Sequence, residues 1–209
     1  TFHVPSRQKP LREPSEAYMG RADIHQYGPS AKALQEADVV VMVGGRLDNQ
    51  MNFGNPPLFP ASCELICVNG SAEETELNRA ADQILLSDPS AFFDALLDLS
   101  ASGVWQEKGD WMERQRRQRG EWVAQTLAEM AQDTTPGQGA HPLQLALQVQ
   151  SVMGVDDWLI IDGGNTHFWS EIAVNIAGWQ GQELAGILHP GAFSMLGVGV
   201  SFALAAKLQ

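Results

Sequence analysis

Short apolar segments that alternate with helical ones set the strongest limit on how this chain can fold. The run Val39–Val43 is apolar throughout and predicts a strand, with a short helix, Ala31–Ala37, before it and Ser30 as its N-cap. The pattern continues with a strand over Glu64–Val68, a helix over Ser71–Arg79, a strand over Ile84–Leu86 and a helix over Pro89–Leu99. Strands that alternate with helices favour a parallel sheet, so an α/β fold is predicted.

A second transition from strand to helix carries a candidate binding site. The apolar run Trp158–Ile161 is typical of a buried parallel strand, and it stops at Asp162 before the turn Gly163–Thr166. Ligands of open α/β sheets bind beyond the carboxyl ends of strands, where free helix N-termini attract anions. The turn is therefore a candidate phosphate site. His167 follows it, and we assign this histidine neither an acid nor a base role.

The stretch from Pro190 to Ala206 has a glycine-rich front half and an apolar back half. Glycine and other small residues let backbone N–H and C=O groups face a ligand directly, and the back half predicts a buried helix. Two interpretations stay open from these residues alone. The stretch is either a ligand-binding loop or a glycine-rich turn before a tightly packed core helix.

These two stretches, preceded by Ala37–Asp48, resemble in order and spacing the thiamine diphosphate enzymes of the acetolactate synthase and pyruvate oxidase superfamily. The resemblance covers nearly the whole chain. It implies a Rossmann-like parallel sheet, the superfamily's middle domain, expected to lack one or two of its first strands. The first half of a second α/β domain, which binds thiamine diphosphate, is expected to follow.

The resemblance and a cluster of helix-breaking residues together predict three parts. The middle domain covers residues 1–100, a linker helix and loop cover residues 101–139, and the N-terminal part of the diphosphate-binding domain covers residues 140–209. The boundary is predicted at Gln132–Gly139, where Pro and Gly interrupt the helical pattern.

The resemblance also implies which residues bind the cofactor: Gly164, Asn165, Thr166, Ser194, Met195 and Leu196. The first three match positions that contact the diphosphate. The C=O of Ser194 and the N–H of Leu196 match positions that bind the aminopyrimidine, and the Leu196 side chain matches the apolar residue beneath the folded cofactor. An ordinary core leucine is the alternative for Leu196.

No catalytic or metal-binding residue is assigned within the chain. The family's activating glutamate would precede residue 1 and its magnesium motif would follow Gln209, so the chain is expected to be an inactive fragment of an enzyme that uses thiamine diphosphate and Mg²⁺. The implied enzyme is an oligomer, a dimer or tetramer. It acts on 2-oxo acids as an acetolactate synthase-like carboligase or decarboxylase, or alternatively as a 2-hydroxyacyl-CoA lyase or oxalyl-CoA decarboxylase. An alternative of another class is a non-catalytic Rossmann-like nucleotide-binding module.

Two polar residues bear on a nucleotide in the middle domain. Arg46, after the first strand, is compatible with either a phosphate contact or a structural ion pair. Asn69 stands after the second strand, where dinucleotide sites usually carry an acidic residue. We therefore expect neither FAD nor ADP in the middle domain.

Charge, cysteine content and apolar runs limit which binding partners and which cellular location are expected for the chain. The 13 Lys and Arg residues against 25 Asp and Glu residues give a formal charge of −12, which opposes binding to nucleic acid or an anionic membrane. The basic segment Glu113–Arg119 is accordingly predicted to be a solvated helix face. Cys63 and Cys67 are expected to be buried free thiols. No apolar run approaches the roughly 20 residues that span a bilayer, and a cytoplasmic location is expected.

Overall fold

A computed structural model describes residues 16–22, 28–103, 109–132, 139–193 and 195–208. The described residues form α-helices and parallel strands, which confirms the predicted α/β class. The chain divides into two compact units, residues 22–115 and residues 1–21 with 116–209. The domain limits at residues 100 and 139 stay a prediction, and residues 133–138 of the predicted boundary lie outside the described part.

The unit of residues 22–115 is built on a three-stranded parallel sheet in the order β1-β2-β3. Its strands are β1 (Val39–Val43), β2 (Glu64–Asn69) and β3 (Gln83–Leu86). Its helices are α1 (Pro29–Gln35), α2 (Ala72–Thr75) and α3 (Pro89–Ala101), and a 3₁₀ segment covers Asn49–Gly54. The register pairs Val41 with Ile66 and Cys67 with Ile84.

Side-chain burial alternates along β1, because only one of its faces is covered. Val40 and Met42 are buried, whereas Val39 and Val41 are about half exposed. Both cysteines are buried and unbridged, as predicted, and burial raises the pKa of each thiol.

Two helix predictions in this unit need correction. Helix α1 begins at Pro29, with Gly28 as its N-cap, so Ser30 is a buried residue inside the helix and not its cap. The helix predicted over Ser71–Arg79 ends at Thr75. Beyond it, Asn78 adopts a left-handed φ of 68° and donates to the carbonyl of Leu47, so tertiary contacts override the helical pattern.

The second unit contains a two-stranded parallel sheet, β4 (Trp158–Ile160) and β5 (Gly186–Leu188). Its helices are α5 (Pro142–Ser151), α6 (Asn165–Trp179) and α7 (Gly199–Lys207). Helix α4 (Gly109–Gln132) contributes residues to both units. Helices α5 and α6 pack against each other, and α7 contacts β4.

Strand β4 is only half buried, which corrects the prediction of a buried strand. Trp158 is 37% exposed, since β4 has one neighbouring strand among the described residues. Trp158 pairs with Gly186, where an added Cβ would lie 2.4 Å from the indole ring, so the ring occupies the space a side chain would need. Within the described residues, no helix is long and apolar enough to cross a membrane.

Candidate functional site

The predicted phosphate turn lies at the start of helix α6, directly after the carboxyl end of β4. Gly164 is the N-cap residue, with φ 81° and ψ −164°, a conformation that is essentially restricted to glycine. No side chain caps this helix among the described residues, and both Asn165 and Thr166 are exposed. The first turn of α6 therefore presents backbone N–H groups to solvent, which suits an anion.

The structure brings the two predicted cofactor segments together. A Cβ placed on Gly164 would lie 3.2 Å from Leu196 Cδ2, so the Leu196 side chain rests against the bare face of this glycine. Leu196 is 76% exposed and Met195 is 58% exposed. Leu196 is thus not an ordinary core leucine in this chain. Ser194, the remaining predicted site residue, lies outside the described residues.

Asp162 joins the same two segments through hydrogen bonds. Its Oδ1 accepts the backbone N–H of Gly163 at 2.7 Å and that of Gly197 at 2.8 Å, and its Oδ2 accepts the N–H of Gly199 at 3.2 Å. The bond from Gly163, followed by those from the glycine-rich loop, lowers the pKa of this carboxyl. Asp162 is therefore ionised at neutral pH.

The helix predicted in the back half of the Pro190–Ala206 stretch is present as α7, but it is not buried. None of its residues is buried, and Val200 and Leu204 are 75% and 63% exposed. Among the described elements β4 is its principal contact, so most of its apolar surface has no packing partner in the part of the chain that the structure describes.

A buried charged cluster lies behind the phosphate turn. Arg21 NH1 contacts Glu171 Oε1 at 3.1 Å and His167 Nε2 at 3.0 Å, and His189 Nε2 lies 3.4 Å from the same carboxylate oxygen. Arg21 is 1% exposed, His167 0%, His189 2% and Glu171 5%. The cluster holds α6 to the loop after β5 and to the segment around residue 21.

Hydrogen-bond directions decide whether this cluster suits a metal ion. The Gly191 N–H donates to His189 Nδ1, so the proton of this ring is on Nε2 and points to Glu171. His167 Nε2 lies 3.0 Å from Arg21 NH1, a donor, and 3.1 Å from Glu171 Oε1, an acceptor, while His167 Nδ1 is buried and has no hydrogen-bond partner among the described residues. His189 would need the other tautomer to bind a metal through Nε2, and the cationic Arg21 NH1 lies within 3.1 Å of both His167 Nε2 and Glu171 Oε1, where a metal ion would have to bind. We assign the cluster a structural role.

The first unit has a similar strand-to-turn junction at Gly44–Arg46. Arg46 forms a bidentate ion pair with Glu74, at 2.6 and 2.5 Å, and this pair raises the pKa of the guanidinium. Asn69 donates to the carbonyl of Gly45 and accepts the N–H of Ser71, so its amide serves the local turn. Of the two roles left open for Arg46, the structure shows the ion pair.

Sequence reasoning assigned no role to Asp162 or to Arg21. The signal for Asp162 was an acidic residue at the end of a strand, next to two glycines. Arg21 had no signal, because an arginine in a loop is ordinarily solvated.

The chain is similar to known proteins over most of its length. Residues 1–96 match the family model described as "Thiamine pyrophosphate enzyme, central domain". The chain is 30% identical to 2-hydroxyacyl-CoA lyase 1 of Mus musculus over 182 residues, which cover 85% of the chain and 30% of that protein. It is 30% identical to human 2-hydroxyacyl-CoA lyase 2 over 183 residues, 84% of the chain and 27% of that protein.

A second group of relatives carries a different name. The chain is 32% identical to the acetolactate synthase large subunit IlvG of Mycobacterium tuberculosis over 181 residues, again 85% of the chain and 30% of that protein. The chain thus spans less than a third of the length of the curated relatives it matches.

Proposed function

Because the chain belongs to the superfamily of thiamine diphosphate-dependent enzymes, we propose that it contributes the diphosphate-binding part of such an enzyme's active site. The observation that carries this proposal is the contact between the uncapped start of α6 and the glycine-rich loop. Because Gly164 has no side chain, the side chain of Leu196 packs directly against its Cα.

The residues present fit the cofactor. The N–H groups at Asn165 and Thr166 suit a diphosphate, since an uncapped helix start attracts anions. The exposed Leu196 and Met195 offer an apolar surface beside that turn, which suits a heterocyclic ring. On an acidic chain, local backbone donors together with Mg²⁺ would hold the diphosphate. Thiamine diphosphate supplies a stabilised carbanion, and the protein supplies binding, orientation and electrostatics.

For the reaction we propose the making or breaking of a carbon–carbon bond at a carbonyl carbon, with a 2-oxo acid as substrate. The acetolactate synthase relatives support this substrate class. The second candidate is a 2-hydroxyacyl-CoA, which the names of the lyase relatives favour. We also propose that the full-length protein is a dimer or tetramer and that its middle domain carries no FAD.

Titration calorimetry on the full-length protein tests the cofactor. We expect saturable binding of thiamine diphosphate that requires Mg²⁺, and none of NAD. Failure to bind thiamine diphosphate with Mg²⁺ would favour the alternative of a non-catalytic module.

Assays of the loaded protein then separate the substrate classes. Turnover of pyruvate with release of CO₂ supports a 2-oxo acid enzyme. Cleavage of a 2-hydroxyacyl-CoA with no turnover of pyruvate would instead support the lyase.

A further inference from the structure

We infer that Asp162 is a positioning residue, which fixes the glycine-rich loop against the phosphate turn and so sets the spacing between the two halves of the cofactor site. This inference rests on the proposed function. Within the described part of the chain, the hydrogen bonds of the Asp162 side chain are all to backbone N–H groups, and no reacting atom is assigned to it.

The position of Asp162 is fixed by the sheet. The preceding residue, Ile161, donates its N–H to the carbonyl of Leu188 at 2.9 Å, which extends the β4–β5 ladder by one residue. Ile161 is also buried. The Asp162 carboxylate therefore lies directly after a hydrogen-bonded strand. A strand of this kind holds a binding-site residue more rigidly than a loop does.

The Asp162 carboxylate accepts hydrogen bonds from backbone N–H groups in two separate parts of the chain. Gly163 is the first residue of the phosphate turn, whereas Gly197 and Gly199 lie 35 and 37 residues further along than Asp162. Bonds from backbone N–H groups to an ionised carboxylate are stronger than bonds between neutral groups. One side chain therefore fastens both loops to the same strand end.

The glycines of the loop suit this arrangement. Gly197 has a φ of 89°, which lets its N–H point to the carboxylate while Leu196 turns to Gly164. A Cβ on Gly199 would lie 3.0 Å from Asp162 Oδ2, so glycine permits the close approach. The backbone next to Leu196, which by the proposed function binds the aminopyrimidine, is held through Asp162.

The test is Asp162→Asn, which keeps the size of the side chain but removes the charge. In either orientation its amide places an NH₂ group opposite at least one of the N–H donors that Asp162 now accepts. A matched control is Asp157→Asn at the other end of β4, where Oδ2 accepts the Gly154 N–H at 2.8 Å as a local turn contact. Two readouts are made on the full-length protein: amide hydrogen exchange at Gly197 and Gly199 without cofactor, and calorimetric titration with thiamine diphosphate and Mg²⁺.

We expect amide exchange at Gly197 and Gly199 to accelerate by about tenfold or more in Asp162→Asn, because charge-assisted bonds are lost. The Kd for thiamine diphosphate should rise by roughly tenfold, and kcat at saturating cofactor should fall by up to about a hundredfold, as for a misplacement near 1 Å. Asp157→Asn should change none of these.

Faster exchange with an unchanged Kd and kcat, or unchanged exchange, would overturn the role of Asp162 alone. No binding of thiamine diphosphate by the unaltered protein would overturn the proposed function and this role with it. If Asp162→Asn does not fold, Gly199→Ala disturbs the same bond through its Cβ, and the same outcomes apply.

Discussion

Two strand ends in this chain carry a Gly-Gly turn, and only one of them leaves a helix start open. After β1, the turn at Gly44 and Gly45 leads to the 3₁₀ segment Asn49–Gly54, where the Asp48 carboxylate accepts the N–H groups of Gln50 and Met51. After β4, Gly163 and Gly164 lead directly into α6, which no described side chain caps. The same Gly-Gly pattern thus precedes two different helix starts. We call the one after β1 the closed turn, because a side chain caps it, and the one after β4 the open turn, because no described side chain does.

The difference lies in where the nearby acidic group points. Asp48 satisfies the first N–H groups of its own helical turn, as an N-cap does. Asp162 accepts the N–H of Gly163, which precedes the N-cap of α6, and the N–H groups of Gly197 and of Gly199, the first residue of α7, so it caps no N–H group within α6. An anion can therefore bind at the start of α6, whereas the N–H groups after Asp48 are already paired.

The two regions also differ in their arginine–glutamate pairs. The pair of Arg46 and Glu74 is exposed, with side chains 59% and 26% accessible. The pair of Arg21 and Glu171 is buried, with side chains 1% and 7% accessible. Exposed pairs contribute little to stability, whereas breaking a buried pair is costly because a charge is left uncompensated.

The largest effect is expected for Glu171→Leu, which removes the carboxylate from the buried cluster. The free energy of unfolding, measured in urea, should fall by about 3–5 kcal/mol. Adding Arg21→Met should recover part of this loss, because the buried charge is removed as well. Glu74→Leu at the exposed pair is the control. If Glu171→Leu lowers the free energy of unfolding no more than Glu74→Leu does, the prediction that the buried pair is the costlier one to break is wrong.

The next effect is expected for Gly164→Ala, which gives the open turn a side chain. The backbone conformation alone should cost about 1–3 kcal/mol, and the Cβ would crowd Leu196. By the proposed function, the affinity of the full-length protein for thiamine diphosphate should fall by roughly tenfold, as calorimetry would measure.

Gly178→Ala is the matched control for that variant, because it lies near the other end of α6 with nothing within 4 Å of its Cβ. It should stabilise the helix by about 0.5–1 kcal/mol and leave cofactor binding unchanged. Equal effects of the two substitutions would show that the turn at Gly164 has no special role.

A smaller effect is expected for Asp48→Ala, which opens the closed turn. The loss of a side-chain cap should cost about 0.5–2 kcal/mol in urea unfolding. The exposed neighbour Asn49 provides the control, Asn49→Ala. A change in stability equal to that of Asn49→Ala would mean that the Asp48 cap contributes nothing.

Much of the fold follows from local sequence, and the exceptions share a cause. Strand β1 was predicted with its observed limits, since an apolar run needs no distant partner to be recognised. Strand β5 was missed because Gly186–Leu188 is too short to show a period. The helix over Ser71–Arg79 was overpredicted because the Arg79 guanidinium binds the carbonyls of Gly54, Pro60 and Cys63, which are distant in sequence.

The candidate site likewise has some features that the sequence predicted and others that depend on contacts between distant residues. The assignment of Gly164 and Leu196 to one cofactor site came from two glycine motifs whose order resembles a known family, and the contact between them is seen only in the structure. The Asp162 bridge and the buried Arg21 did not follow, because a carboxylate that accepts backbone N–H groups and an arginine that pairs inside the protein leave no spacing pattern in the chain.

The pH dependence of the Asp162 bridge gives a prediction without any substitution. Because the folded-state pKa of this carboxyl is lowered, first by the Gly163 N–H, the bridge stabilises the loop above the ordinary carboxyl pKa near 4 and is lost as pH falls through the lower folded value. Amide chemical shifts of Gly197 and Gly199 should therefore move together below about pH 4. Constant shifts down to acid unfolding would contradict the bridge.

The smallest effect is expected for Arg46→Gln, which separates the two roles of the arginine at the closed turn. Because Arg46 pairs with Glu74 at the surface, loss of the pair should leave the thermal midpoint within the error of measurement.

The full-length protein should purify without flavin absorbance and should bind ADP no differently with or without the substitution, since the Arg46 guanidinium is already paired with Glu74. Glu74→Gln is the matched control: if Arg46 served a nucleotide, freeing it from Glu74 would strengthen ADP binding while Arg46→Gln would abolish it. A yellow preparation, or opposite effects of these two substitutions on ADP binding, would show that the turn after β1 also holds a ligand and would end the contrast with the turn after β4.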